Sequence, residues 1–144
     1  MCYNVFIATA KPQMTNEFIP GVTSLYLQLP TCEQLEGLQN KFSLPKLYYV
    51  GSDTLCSCGF DFSSKDFHNP EWENNKASPQ ALIDFITEQT LTHEIQYYCC
   101  WEGDWDTEPE ETLTLNIKEV SLDRNYFGLV EGQFINFECT NQNT

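Results

Sequence analysis

The sequence predicts one α+β domain, a largely antiparallel sheet of about 6–7 strands with two helices on one face. Three observations carry that expectation. Several short stretches alternate apolar and polar residues with a period of two, as half-buried strands do. Two other stretches combine helix-start chemistry with apolar residues at helical spacing. Finally, 144 residues containing 10 Phe, 7 Tyr and 3 Trp suffice for one hydrophobic core, and nothing in them marks an internal repeat or a linker.

Residues 2–8 alternate, with Tyr3, Val5 and Ile7 on one face and Asn4 and Phe6 on the other. Residues 11–21 are punctuated by Pro12, Pro20 and Gly21 and read as a connection. Residues 23–29 alternate again, with Leu25, Leu27 and Leu29 on one side. Thr31-Cys32-Glu33-Gln34 has capping-box form; Leu35, Leu38 and Phe42 follow at helical spacing, and Pro45 stops the helix. Residues 47–62, LYYVGSDTLCSCGFDF, place two apolar runs around Gly51-Ser52-Asp53-Thr54 and read as a central hairpin. Residues 63–77 are polar and lack periodicity, but Phe67, His68 and Trp72 favour an ordered loop.

Ser78-Pro79 starts a second helix, with Ala81, Leu82, Phe85 and Ile86 as its buried stripe and an end near Leu91. Residues 95–101 and 112–118 read as strands, separated by the acidic loop 102–111; residues 133–139 form the last strand, and the end of the chain from 139 to 144 becomes a polar, flexible tail. Between residues 23 and 101 the order strand, helix, strand, strand, helix, strand is that of a ferredoxin-like βαββαβ core, with one strand before it and two after.

Charge narrows the function classes. Seven basic against 21 acidic residues leave a net charge of −14. Such a surface repels phosphate, which argues against nucleic acid and anionic membranes as partners. It suits a cation or a basic protein partner. The 7 cysteines are odd in number and have no disulfide-scaffold rhythm. The first residues lack the basic region and apolar length of a secretory signal, and no run approaches a membrane span. A reducing, cytoplasmic location with free thiols is the expectation.

Cys56-Ser57-Cys58 invites a chemical reading. In a strand both thiols would face inward beside Phe60 and Phe62 and behave as small hydrophobes. The alternative is a metal- or thiol-dependent enzyme or sensor using Cys56, Cys58 and His68, joined by one thiol of Cys99-Cys100 or by His93; zinc is the metal such donors suit, although the paired spacing of structural zinc sites is absent. No nucleophile, phosphate-binding or metalloprotease motif occurs, so no catalytic residue is assigned and the chain reads as a non-enzyme. Asp104, Asp106 and Glu108 follow the first oxygen positions of a calcium loop, but Pro109 and Leu115 stand where that loop needs glycine and glutamate.

If the strands ending at Phe62 and Trp101 share a sheet across the second helix, they run parallel, and the loops following them leave from one rim. That rim would gather His68, Trp72, Asp104, Trp105, Asp106 and Glu108 into a binding surface. The leading expectation is therefore an acidic protein-binding module, in the manner of an inhibitor or immunity-type protein, with a basic partner. The thiol or metal site and calcium in the 102–111 loop are the alternatives.

Overall fold

The computed structural model describes residues 2–141. Strands β1 (Tyr3–Thr9), β2 (Leu25–Gln28), β3 (Lys46–Ser52), β4 (Ile95–Trp101), β5 (Glu111–Leu115) and β6 (Gln133–Phe137) form one mixed sheet in the order β2-β3-β1-β4-β6-β5. All neighbours are antiparallel except β5 and β6, which run parallel. The helices are α1 (Cys32–Gly37) and α2 (Ala77–Thr90). The architecture is α+β with few helices.

The first strand lies in the middle of the sheet. Val5, Phe6, Ile7 and Ala8 are all fully buried, because β1 is paired on both edges and covered on both faces. One face carries Val5, Ile7, Tyr48, Val50, Tyr97 and Ile135, capped by Leu82, Ile83 and Ile86 of α2 and by Phe60, Phe62, Ile117 and Leu122. The other carries Phe6, Tyr26, Tyr49, Tyr98 and Phe134 under Leu38, Phe18, Phe42 and Trp105. Each face removes large apolar side chains from water, and full burial of one such side chain is worth about 1.5–3 kcal/mol.

Three expectations need correction. Residues 55–62 are not a strand: an isolated bridge between Thr54 and Cys56 leads into a 3-10 turn, Ser57–Phe60. The ferredoxin-like succession therefore lacks one of its strands, and β1 is inserted between β3 and β4. Nor do the two helices share a face. Leu38, which ends α1, belongs to the cluster opposite α2.

Smaller boundaries shift for local reasons. The Thr31 capping box forms on both its bonds, yet α1 stops at Gly37 rather than running on to Phe42. Ser78 is not the N-cap of α2; its hydroxyl donates to Ser24 O (2.6 Å) and accepts the Asp53 N–H (3.0 Å), tying the helix start to the sheet. The 63–77 loop is ordered by 3-10 turns at Ser64–Asp66 and Pro70–Asn75. β5 ends at Leu115 and gives way to a 3-10 turn, Ile117–Glu119. Of the expected tail, the Thr140 N–H donates to Thr90 O (2.7 Å), and residues 142–144 lie outside the described residues.

The rim expectation loses its premise, because no strand ends at Phe62. β3 and β4 are both antiparallel to β1, and Val50 and Trp101 pair with Val5 and Tyr3, so the segments after β3 and β4 leave from the same end of the sheet.

Gly51 exposes a steric limit on the second face. A Cβ there would meet the Tyr26 ring at 2.1 Å, and that ring is pinned between Phe18 and Tyr49. Gly51→Ala is expected to destabilise the fold by about 1–3 kcal/mol through overpacking, read as a lower urea midpoint with an unchanged m-value.

Candidate metal centre

The site is built on the turn that follows β3. The Ser52 N–H and hydroxyl both donate to Cys56 O (2.9 and 2.6 Å), and the same hydroxyl oxygen accepts the Gly59 N–H (2.9 Å). Leu55 has φ +77, a left-handed conformation costly for a branched side chain. The Tyr26 hydroxyl donates to Leu55 O and helps to hold it there. Gly59 is required, since a Cβ would approach Ser52 Oγ to 2.3 Å.

Ser57 then locks the turn onto the sheet. It is fully buried, and its oxygen accepts the Val5 N–H (2.9 Å) while its hydroxyl donates to Val50 O (2.6 Å). Ser57 thereby bridges the central strand and its neighbour. Cys56 and Cys58 flank this clasp and are set beside the start of β1, where the Tyr3 N–H donates to Cys58 Sγ (3.3 Å). The residue before Tyr3 is Cys2. The three sulfurs of Cys2, Cys56 and Cys58 all lie within 4.8 Å of one another.

These thiols do not face inward beside Phe60 and Phe62, as the alternating pattern suggested. All three are half-buried and belong to neither core cluster, whereas Phe60 and Phe62 do. Burial works to raise the Cys56 pKa, but hydrogen bonds from the Thr54 hydroxyl, the Cys58 N–H and the Cys58 and Cys2 thiols outweigh it and hold it below the ordinary value. Burial pushes the Cys58 thiol up to about 11; the Tyr3 N–H opposes this and the neighbouring Cys56 and Cys2 sulfurs add to it. Of these two, Cys56 is the better prepared to carry negative charge, and Cys58 holds its proton more tightly.

The cluster could hold a metal ion. Thiolates are soft ligands suited to zinc or monovalent copper. With Zn–S bonds of about 2.3 Å, sulfurs around a tetrahedral zinc sit about 3.8 Å apart, within reach of small side-chain rotations here. Among the described residues no fourth His, Cys, Asp or Glu joins the group. Three protein ligands leave one zinc position for water or an outside ligand.

The expected site residues fall elsewhere. His68 is not part of the thiol group; its ring stands edge-on to Phe67, which packs against the core on the α2 side of the sheet. Trp72 is 40% exposed in the Pro70–Asn75 turn. Trp105 is tucked against the opposite face, its ring N–H donating to Asn4 Oδ1 (2.8 Å) and its Cβ crowding Gly37. Phe67, beside His68, and Trp105 thus pack on opposite faces of the sheet. Asp104 closes the turn that begins at Trp101, its N–H donating to Trp101 O (3.0 Å), and Glu108 borders a separate hollow beside Lys41 and Pro109. Asp106 lines a groove of about 470 Å³ with Glu33, Glu36, Gly37, Gly103 and Trp105. Among the described residues, no three carboxylates of the 102–111 loop converge as a calcium site requires.

Sequence reasoning missed Cys2 as a partner of Cys56 and Cys58, and missed Glu33 and Glu36 beside Asp106. No local signal marks either grouping, since both arise from strand order. The chain matches no family model, no curated protein and no solved structure.

Two measurements check this geometry. Ser57→Ala leaves a buried N–H and carbonyl without their partner, so stability is expected to drop by about 1–3 kcal/mol in urea unfolding. Alkaline pH gives the second. Burial holds Cys58 up to about 11, and Cys100 and Tyr49 to about 12, above the 9.0 and 10.0 of free thiol and phenol. The unfolded chain therefore loses these protons first, and their stabilisation is complete below pH 9.0 and lost as pH rises toward about 12. Cys56, held low, contributes with the opposite sign, its stabilisation being present above pH 9.0 and lost as pH falls through its folded value. The urea midpoint is expected to fall progressively above pH 9.0.

Proposed function

We propose that this chain is a soft-metal-binding protein whose ligands are Cys2, Cys56 and Cys58, with zinc as the metal. The convergence of three half-buried thiols within 4.8 Å carries the reading. Sulfur donors favour zinc or monovalent copper over calcium, which takes oxygen. The chain's charge of −14 draws cations toward the site. The open fourth position suits exchange or sensing better than a closed structural role. Ligation requires thiolates, so affinity falls as pH drops and uptake releases protons.

Elemental analysis and zinc titration of the reduced protein against a chromophoric chelator test this. One zinc per chain is expected, with stoichiometry lost in Cys56→Ser and Cys58→Ser and kept in Cys32→Ser, whose cysteine is exposed and outside the cluster. A wild-type protein that takes up no zinc or copper when reduced would sink the proposal.

A second reading, binding of a basic protein partner, is favoured by the groove between α1 and the Gly103–Asp106 turn, where Glu33, Glu36 and Asp106 lie over Trp105. The groove replaces the two-loop surface as the place for such a partner. A Lys or Arg side chain entering it would meet three carboxylates. Glu33→Gln, Glu36→Gln and Asp106→Asn together are expected to weaken capture of a basic partner and flatten its salt dependence, as read by surface plasmon resonance. Unchanged binding by the triple variant would exclude the groove.

A further inference from the structure

We propose that the same cluster, when free of metal, reduces small cationic disulfides by thiol–disulfide exchange, with Cys56 attacking and Cys2 resolving. This rests on the convergence of the three thiols but not on metal occupancy.

Access comes first. Cys2, Cys56 and Cys58 are half-buried, so a small molecule reaches them, while Cys99 and Cys100 are 0% and 1% exposed and closed to it. Proximity comes second. The sulfurs already lie within 4.8 Å, and a disulfide needs about 2.05 Å, a gap that side-chain rotation spans.

The three sulfurs are not equivalent. Cys58 Sγ is engaged by the Tyr3 N–H (3.3 Å), whereas Cys56 Sγ faces the Thr54 hydroxyl (3.5 Å). Turning Cys58 out toward a disulfide would break its bond from the fixed Tyr3 main chain, whereas Cys56 is held only by the longer contact to a hydroxyl that can turn with it, which leaves Cys56 as the attacking sulfur. A bridge from Cys56 to Cys58 would close a tight ring over Ser57, whose hydroxyl is fixed between Val5 and Val50. Cys2 lies just before β1 and outside that clasp, so it can turn toward Cys56 without breaking those bonds.

The exchange balances in two steps. The Cys56 thiolate attacks one sulfur of the disulfide RSSR, forming a mixed disulfide Cys56–S–S–R and expelling RS⁻, which takes a proton from solvent. Cys2, as thiolate, then attacks the Cys56 sulfur, forming the Cys2–Cys56 disulfide and expelling the second RS⁻. Two protein thiols are oxidised, and one RSSR is reduced to two RSH.

Charge selects the substrate. The whole chain carries a net charge of −14. A cationic disulfide such as cystamine is attracted, and anionic oxidised glutathione is repelled.

The test uses reduced, chelator-treated protein carrying Cys32→Ser and Cys139→Ser, which removes the exposed and the half-buried thiols outside the cluster. With cystamine, release of two equivalents of cysteamine is expected, and non-reducing peptide mapping should show Cys2 joined to Cys56. Adding Cys2→Ser should stop the reaction at a mixed disulfide on Cys56. At low salt, cystamine should react severalfold faster than oxidised glutathione, and the difference should shrink as salt is added. A wild-type map showing only mixed disulfides, or a bridge between other cysteines, overturns the proposal whether or not the variant folds. Equal rates with the two disulfides overturn its substrate class. Zinc titration of the same preparation separates the two readings. Zinc uptake without the bridge leaves the metal centre standing and removes the exchange, and the bridge without zinc uptake does the reverse.

Discussion

The arrangement around the thiols depends on one buried hydroxyl. Ser57 Oγ accepts from Val5 of the central strand and donates to Val50 of its neighbour, so its proton and one lone pair are spent on two main-chain groups that would otherwise be buried without partners. An unpartnered buried polar group costs about 1–3 kcal/mol, enough to hold a short turn in one place. Because Cys56 and Cys58 adjoin Ser57, fixing its hydroxyl also fixes them against Tyr3. The Ser52 hydroxyl holds the other side of the turn through Cys56 O and the Gly59 N–H.

Topology supplies the third thiol. Because β1 lies in the middle of the sheet, the residue before it is set between segments far removed in sequence. Tyr3 pairs with Trp101 across one edge of β1, and its ring stacks on the Trp101 ring at 4.1 Å. On the other edge Val5 pairs with Val50, two residues before β3 ends. Cys2 therefore meets the turn after β3 as a direct result of strand order. The same order explains why the two rim segments part company. The one after β3 carries Phe60, Phe62 and Phe67 onto the α2 face, and the one after β4 carries Trp105 onto the opposite face.

What could be read from the sequence follows from how local each signal is. The strands at Tyr3–Thr9, Ile95–Trp101 and Gln133–Phe137 and the helix from Ala77 were legible, because period and propensity act within a few residues. The Thr31 capping box was legible for the same reason. The Leu55–Phe62 alternation misled. Its Ser57 and Gly59 are turn residues whose hydroxyl and missing Cβ serve contacts with β1, β3 and Ser52, none of them local. The reading of both long loops at one rim rested on a strand ending at Phe62, which is instead a 3-10 turn; it is β3, not that segment, that runs in the same direction as β4. The further step, that they form one surface, required knowing which face each loop covers. The thiol cluster and the Glu33–Glu36–Asp106 groove were out of reach because each joins residues through sheet order alone.

The cysteines divide into groups by environment, and the division bears on function. Cys99 and Cys100 are buried in the central strand β4 on opposite faces, each among apolar side chains, and burial pushes both thiols well up. There a thiol is a small hydrophobe. Cys2, Cys56 and Cys58 sit outside both core clusters, half-exposed at the rim, where packing does not call for sulfur. What distinguishes them is that they face one another. Cys56 and Cys58 are about equally buried, yet Cys56 is lowered and Cys58 raised, so the difference between these two comes from hydrogen bonds: donors converge on Cys56, and Cys58 supplies one of them. A cluster of three sulfurs in which the donors converge on Cys56 suits reversible capture of a soft electrophile. In a chain of charge −14, cations are the electrophiles admitted most readily.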